Sequence, residues 1–188
     1  GDFNVTGGTY GQDYTYDNEA GLLTIQSSKE ITIANVNTST STTDRIEVAL
    51  DVSANITLAG VNIDVSSQSN TAAFKIADNS AGNVTITLAD GTTNTLKSGK
   101  YCAGLQKNGA YISETQGKLT ITGTGSLTAT GGGYGAGIGG GWYGSGSNIT
   151  ISGGTVTATG GERGAGIGGG YKGSGSNIEI SGGTVTAT

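Results

Sequence analysis

The sequence predicts an all-β fold: a right-handed parallel β-helix (β-solenoid) with about three strands per coil and coils of about 28–35 residues. A unit that begins at Asn148 starts again at Asn177, which gives a period of 29 residues. Within each unit, short runs alternate an apolar residue with a small or polar one, as strands with one buried face do. Gly-Gly, Gly-Ser and Asp-Gly pairs separate these runs.

The clearest unit, residues 148–176, contains three such runs, at 149–151, 156–158 and 165–167. The glycine pairs between the runs favour sharp bends because glycine tolerates positive φ, and close packing of a narrow core is a second use for glycine. Three strands and three corners in one repeat describe one coil of a solenoid. No window has the apolar period of a helix, so we expect any helix to be a short cap.

The same template extends through most of the chain. We predict an N-terminal cap and first irregular coil over residues 1–54 and repeated coils over 55–188. The predicted coils are 55–82, 83–117, 118–147, 148–176 and, as a partial coil, 177–188. Tyr10, Tyr14 and Tyr16 alternate as one strand face, which we assign to the cap.

Stacked coils about 4.8 Å apart place equivalent residues above one another, so the sequence predicts ladders of side chains. One internal apolar column contains Ile121, Ile151 and Ile180, and another contains Leu127, Val156 and Val185. We expect Asn148 and Asn177 to form an asparagine ladder at a corner. The chain has no proline, which fits a backbone whose N–H groups pair with the next coil.

Composition excludes several kinds of site and partner. The chain has no histidine and one cysteine, Cys102, so it has no histidine-based catalytic triad, no histidine-ligated zinc site and no internal disulfide. Its formal net charge of −5 argues against nucleic acid as a partner. The apolar runs are far shorter than the roughly 18 residues of a membrane span, so we expect no membrane insertion.

Aromatic and basic residues in the glycine-rich corners predict a carbohydrate-binding edge. Trp142 and Tyr171 occupy the same position of consecutive units, and Tyr134 aligns with Arg163 as Tyr143 does with Lys172. Rings on one side of a solenoid can stack on the apolar faces of sugars, while Arg163 and Lys172 serve hydroxyl or uronate groups. The alternative is that the rings shield the glycine backbone at the corner.

Acidic and threonine residues suggest two further kinds of site. We expect Asp64, Asp78 and Asp90 to recur in successive coils, which makes them candidate calcium ligands, or else carboxylates that keep the surface hydrated. The pairs Thr128 and Thr130, Thr157 and Thr159, and Thr186 and Thr188 repeat in register. Such arrays resemble ice-binding surfaces, although outward-facing threonine is also a good strand former.

Three segments resemble a known family. They are NVTITLADGTTNTL from Asn83, LTITGTGSLTATGG from Leu119 and the GAGIGGG units. They are similar to carbohydrate-binding parallel β-helix domains in surface proteins of Gram-positive, often gut-dwelling, bacteria. The resemblance covers roughly residues 50–188 and implies a pectate-lyase-like fold, polysaccharide binding, calcium in some members, and an extracellular or cell wall-associated location. Its most specific part is the Asp90-Gly91…Asn94-Thr95-Leu96 motif together with the later T-x-T-x-x-G-x-L-T-A-T pattern at 120–130.

The resemblance favours binding over cleavage. Arg45 and Arg163 are the only arginines, and neither adjoins a cluster of aspartates like that of the lyases. We therefore expect a non-catalytic polysaccharide-binding module of a secreted or cell-surface bacterial protein, with a polysaccharide or a host or plant glycan as partner. We expect no cofactor, with calcium as the one candidate. The alternatives are a rigid stalk or spacer of an adhesin, a polysaccharide lyase and an ice-binding protein. The open C-terminal coil is a candidate site for end-to-end self-association.

Overall fold

The computed structural model describes residues 1–109 and 116–188, and these residues form nineteen strands and no helix. Within those two ranges there is accordingly no helix able to cross a membrane. The strands are β1 Phe3–Thr6, β2 Tyr14–Asp17, β3 Leu22–Ile25, β4 Glu30–Asn35, β5 Arg45–Val48, β6 Ala54–Leu58, β7 Asn62–Asp64, β8 Phe74–Ile76, β9 Val84–Leu88, β10 Thr93–Lys97, β11 Leu105–Lys107, β12 Leu119–Gly123, β13 Ser126–Thr130, β14 Ile138–Gly139, β15 Gly146–Ile151, β16 Thr155–Thr159, β17 Ile167–Gly168, β18 Gly175–Ile180 and β19 Thr184–Ala187.

The strands lie in three sheets. In strand order, the first sheet is β1-β4-β6-β9-β12-β15-β18, the second is β7-β10-β13-β16-β19, and the third is β2-β3-β5-β8-β11-β14-β17. From β6 onwards the chain visits the first, second and third sheets in turn, and each strand pairs in parallel with its equivalents in adjacent coils. About five coils stack in this way, which confirms the predicted all-β, right-handed parallel β-helix.

The first two strands run against the direction of the others. Strand β1 pairs antiparallel with β4, and β2 pairs antiparallel with β3, so they cover the exposed edges of the first and third sheets. Tyr14 and Tyr16 lie in β2 and pack partly buried against the core. The prediction that Tyr10 shares their strand face is wrong, because Tyr10 precedes the strand, is 64% exposed and contacts the edge of the Tyr14 ring.

The predicted ladders are present. Ile121 lies opposite Ile151, which lies opposite Ile180. The second predicted column is formed in the same way by Leu127, Val156 and Val185. At the corner, Asn177 Nδ2 donates to Asn148 Oδ1 at 3.0 Å, as the asparagine ladder requires. Ile121, Ile151, Leu127 and Val156 are fully buried, and their burial stabilises the coils. The prediction that Ile180 is internal is wrong, because Ile180 lies in the last first-sheet strand and is 54% exposed.

The third strand of each glycine-rich coil differs from the prediction. The sequence pattern places a strand at 165–167, whereas β17 contains only Ile167 and Gly168. The reason is that the Ala165 N–H turns back to the carbonyl of Gly169 in its own coil, at 3.1 Å, instead of pairing with the next coil. The resulting two-residue strand brings the corners on either side of the third sheet close together.

Close stacking of coils explains more of the glycines than positive φ does. Among the glycines from 130 onwards, positive φ occurs at 139, 154, 168 and 183. Most of the others adopt a φ open to any residue, but an added Cβ would lie closer than 3.0 Å to the backbone of a neighbouring segment. At Gly164, for example, that backbone is the Gly135 carbonyl of the preceding coil.

A lysine occupies one core position. Lys107 lies opposite Ile76 in the register of β11 with β8 and is only 4% exposed. Its Nζ donates to the carbonyl of Ser147 at 2.9 Å. Burial disfavours the charged form of the amine and lowers the pKa of Lys107 to about 8.

We expect Lys107 to make stability rise with pH. Between pH 8 and pH 10 the unfolded chain binds more protons at this residue than the folded chain does, so the free energy of unfolding increases across this window. Lys107→Met should remove the increase and raise stability at neutral pH by about 2 kcal/mol. Urea unfolding across this range measures both effects, with the exposed Lys118→Met as control. A wild-type midpoint that stays flat or falls from pH 8 to pH 10 contradicts the prediction.

Candidate functional site

Five aromatic side chains form a closed circuit on the surface. The ring centroids of Tyr101 and Tyr134 are 5.4 Å apart, those of Tyr134 and Tyr171 are 5.6 Å apart, and those of Tyr171 and Tyr143 are 5.8 Å apart. Trp142 closes the circuit, with its ring 4.7 Å from Tyr143 and 5.2 Å from Tyr101. We call these five residues the aromatic cluster.

Two corners of the β-helix supply the rings. Tyr101 and Tyr134 precede the third-sheet strands of their coils, whereas Trp142, Tyr143 and Tyr171 follow theirs. Backbone hydrogen bonds join the two corners: the Trp142 N–H donates to the Tyr101 carbonyl at 2.8 Å, and the Tyr171 N–H donates to the Tyr134 carbonyl at 2.9 Å. The ring positions are therefore fixed by the stacked backbone rather than by a mobile loop.

Three exposed cations surround the aromatic cluster. Lys100 Nζ lies 5.4 Å from the ring centroid of Tyr101, and Arg163 Cζ lies 5.3 Å from that of Tyr171. Lys172 Nζ lies 5.3 Å from the same Tyr171 ring. Each cation also lies within 6 Å of a second tyrosine of the cluster, a distance at which ring and cation attract. Three cations thus gather at this patch although the chain as a whole carries a formal charge of −5.

Exposure differs among the five rings. Trp142 is 49% exposed and Tyr143 is 55% exposed, whereas the other three tyrosines are half-buried. Tyr101 and Tyr134 stack on each other with an interplanar angle of 21°. Trp142 and Tyr143 therefore offer the largest ring area to a ligand.

The structure brings all six residues of the predicted carbohydrate-binding edge into one patch. They are Tyr134, Trp142, Tyr143, Tyr171, Arg163 and Lys172. Sequence reasoning missed Tyr101 and Lys100. A signal for Tyr101 was present, because aligning 103–105 with 136–138 places Tyr101 at the position of Tyr134.

The three candidate calcium ligands lie apart from one another. Asp64 ends a second-sheet strand and pairs with Lys97 Nζ at 3.1 Å. Asp78 follows a third-sheet strand and accepts from Asn108 Nδ2, whereas Asp90 follows a first-sheet strand and accepts from Thr124 Oγ1. In the described ranges, no group of three or more acidic or cysteine side chains is placed to hold a metal ion.

The threonine columns have the predicted register. Thr128 lies opposite Thr157 and Thr157 opposite Thr186, while Thr130 lies opposite Thr159. Thr95 extends the first column by one coil. Thr188 follows the end of β19.

Comparison with known proteins supports the fold. A family model described as a beta helix repeat matches residues 119–142, 149–171 and 178–188. Each matched stretch begins in a first-sheet strand, so the family repeat coincides with one coil. No curated protein and no solved structure matches the chain.

Proposed function

We propose that this β-helix is a non-catalytic, polysaccharide-binding module of a secreted or cell-surface bacterial protein, and that the aromatic cluster is its binding site. The observation that carries the proposal is the circuit of five rings, two of them about half exposed, with three cations at its rim. The resemblance to carbohydrate-binding β-helix domains supports it.

The chemistry of the patch fits a sugar polymer. Apolar faces of sugar rings stack on aromatic rings, and Lys100, Arg163 and Lys172 can donate hydrogen bonds to hydroxyl or carboxylate groups. The rings come from three successive coils, which are about 4.8 Å apart, so the patch extends along the stack and can follow a chain of sugars. Because stacked backbone holds the rings, little conformational entropy is lost on binding.

Trp142→Ala and Tyr143→Ala are expected to weaken polysaccharide binding, by about 30-fold for Trp142, since truncation of a central aromatic residue costs about 2 kcal/mol. Titration calorimetry against a panel of neutral and acidic plant and host polysaccharides measures the loss. Tyr10→Ala is the matched control, because Tyr10 is an exposed tyrosine at the N-terminal end. Unchanged affinity in the Trp142 variant, or no binding to the panel by the wild-type protein, refutes the proposal.

A rigid spacer is the second candidate function. Parallel pairing in register continues from β4 to β18 in the first sheet, which makes the described chain a stiff rod. This function requires no ligand at the aromatic cluster, so the same titrations separate the two candidates.

A further inference from the structure

The turn that presents Trp142 and Tyr143 is built around the side chain of Asn108. Asn108 Oδ1 accepts the N–H of Gly141 at 2.8 Å, immediately before Trp142. On the other side of the turn, an added Cβ at Gly144 would lie closer than 3.0 Å to the same oxygen. The amide of Asn108 therefore sits between the two glycines that bracket the rings.

The next coil shows what this amide replaces. There the equivalent turn, residues 170–173, carries Tyr171 and Lys172, and its Gly170 N–H donates to the backbone carbonyl of Gly144 at 3.1 Å. Gly141 and Gly170 are 29 residues apart and occupy the same position in their coils. The side chain of Asn108 thus accepts the Gly141 N–H, whereas one coil later a backbone carbonyl accepts the equivalent Gly170 N–H.

Asp78 fixes the orientation of the amide. Asn108 Nδ2 donates to Asp78 Oδ1 at 3.0 Å, and Asp78 Oδ2 lies 3.5 Å from Lys75 Nζ. A carboxylate only accepts and a backbone N–H only donates, so the amide nitrogen must face Asp78 and the amide oxygen must face Gly141. The carbonyl of Asn108 is held as well, since it accepts the Asn79 N–H at 3.2 Å.

We propose that Asn108, oriented by Asp78, is a positioning residue that sets the pose of Trp142 and Tyr143 in the aromatic cluster. The expected effect on ligand affinity rests on the proposed function of the aromatic cluster. The expected effect on the pose of Trp142 is independent of that function. Trp142 is the only tryptophan of the chain, so its fluorescence reports the pose in the absence of any ligand.

Asn108→Asp tests the proposal. The variant keeps an oxygen that can accept the Gly141 N–H, but it loses the N–H that donates to Asp78. It also places a second carboxylate next to the carboxylate of Asp78. We expect Trp142 emission to shift to longer wavelength, acrylamide quenching to increase and polysaccharide affinity to fall about five- to tenfold. The D78N/N108D double variant should restore emission, quenching and affinity, because the introduced amide donates to the introduced carboxylate, which still accepts the Gly141 N–H.

The matched control is Asn83→Asp. Asn83 Oδ1 accepts the Lys118 N–H at 2.8 Å just before a first-sheet strand, and its replacement should leave Trp142 emission unchanged. The proposal is overturned if folded N108D, checked by circular dichroism, has wild-type emission and quenching, or if the double variant does not restore them. Where N108D alone does not fold, the proposal requires D78N/N108D to fold with wild-type emission. Failure of the wild-type protein to bind glycans refutes the proposed function but leaves this fluorescence test intact.

Discussion

Replacing Gly135 by alanine is expected to lower the free energy of unfolding by about 3 kcal/mol or more. A Cβ at this position would lie closer than 3.0 Å to the backbone oxygen, carbon and following nitrogen of the Cys102 peptide in the preceding coil. Backbone atoms cannot rotate away as a side chain does, so the two coils must separate. The Gly161 N–H also donates to the Gly135 carbonyl at 3.0 Å, and that displacement would strain the next coil as well.

Gly133→Ala is the control for this effect. Gly133 lies two residues away in the same glycine run, yet an added Cβ there would have no atom within 4 Å. We expect this variant to lie within about 0.5 kcal/mol of the wild type. Urea unfolding followed by circular dichroism compares the two variants, provided that their m values agree. Equal midpoints for the two variants would mean that the coils are less tightly stacked than the structure shows.

The contrast between Gly133 and Gly135 marks the limit of sequence reasoning about this fold. The repeat predicts the ladders because stacking places each residue above its equivalent one coil earlier, as at Ile121 and Ile151. The sequence, however, does not distinguish a glycine with positive φ at a corner from one that faces a neighbouring backbone or one that faces solvent. Only the distance to the next coil distinguishes these cases.

The candidate site was predictable in part for the same reason. Trp142 and Tyr171 share a column, which is visible in the repeat, but the contact between Trp142 and Tyr101 joins two corners. The two corners flank the third sheet, and they lie close enough for that contact because the third-sheet strand of the Trp142 coil, β14, has only two residues. The shift from a 29-residue to a 33-residue spacing further upstream also separated Tyr101 and Lys100 from the pattern.

Coil arithmetic also explains the separation of the aspartates. Asp64 and Asp78 are 14 residues apart, and Asp78 and Asp90 are 12 apart. Each interval is between a third and a half of a coil, so successive aspartates lie on different sheets instead of in one column. The predicted recurrence in successive coils is wrong for Asp64 and Asp78, whose strands β7 and β8 belong to one coil.

Asn94→Leu is expected to destabilise the fold by about 3 kcal/mol, although it would extend an apolar column. Asn94 is fully buried and lies opposite Leu127 in the second sheet. Its Oδ1 accepts the N–H groups of Gly60 at 3.0 Å and Val61 at 2.9 Å, and its Nδ2 donates to the Ser126 carbonyl at 3.1 Å. The single amide therefore joins three successive coils at the corner between the first and second sheets.

Two opposing terms decide the sign of this change. A buried leucine side chain gains about 2 kcal/mol from removal of its apolar surface from water. Against this, two backbone donors and one acceptor lose their partner, and each unsatisfied buried group costs about 1–3 kcal/mol. The polar loss exceeds the apolar gain, so the net change is destabilising. Asn94, one of the residues that carry the family resemblance, is thus assigned a structural role.

The measurement is urea unfolding of Asn94→Leu beside Asn55→Leu. Asn55 is exposed, and its Nδ2 donates to the Ser28 carbonyl at 3.0 Å. We expect the Asn55 variant to lose less than about 1 kcal/mol, because water can replace this exposed partner. If Asn94→Leu were as stable as the wild type, the hydrogen bonds of the Asn94 amide would not be needed for the stability of this corner. Packing of the apolar column of Leu127 and Val156 would then be sufficient.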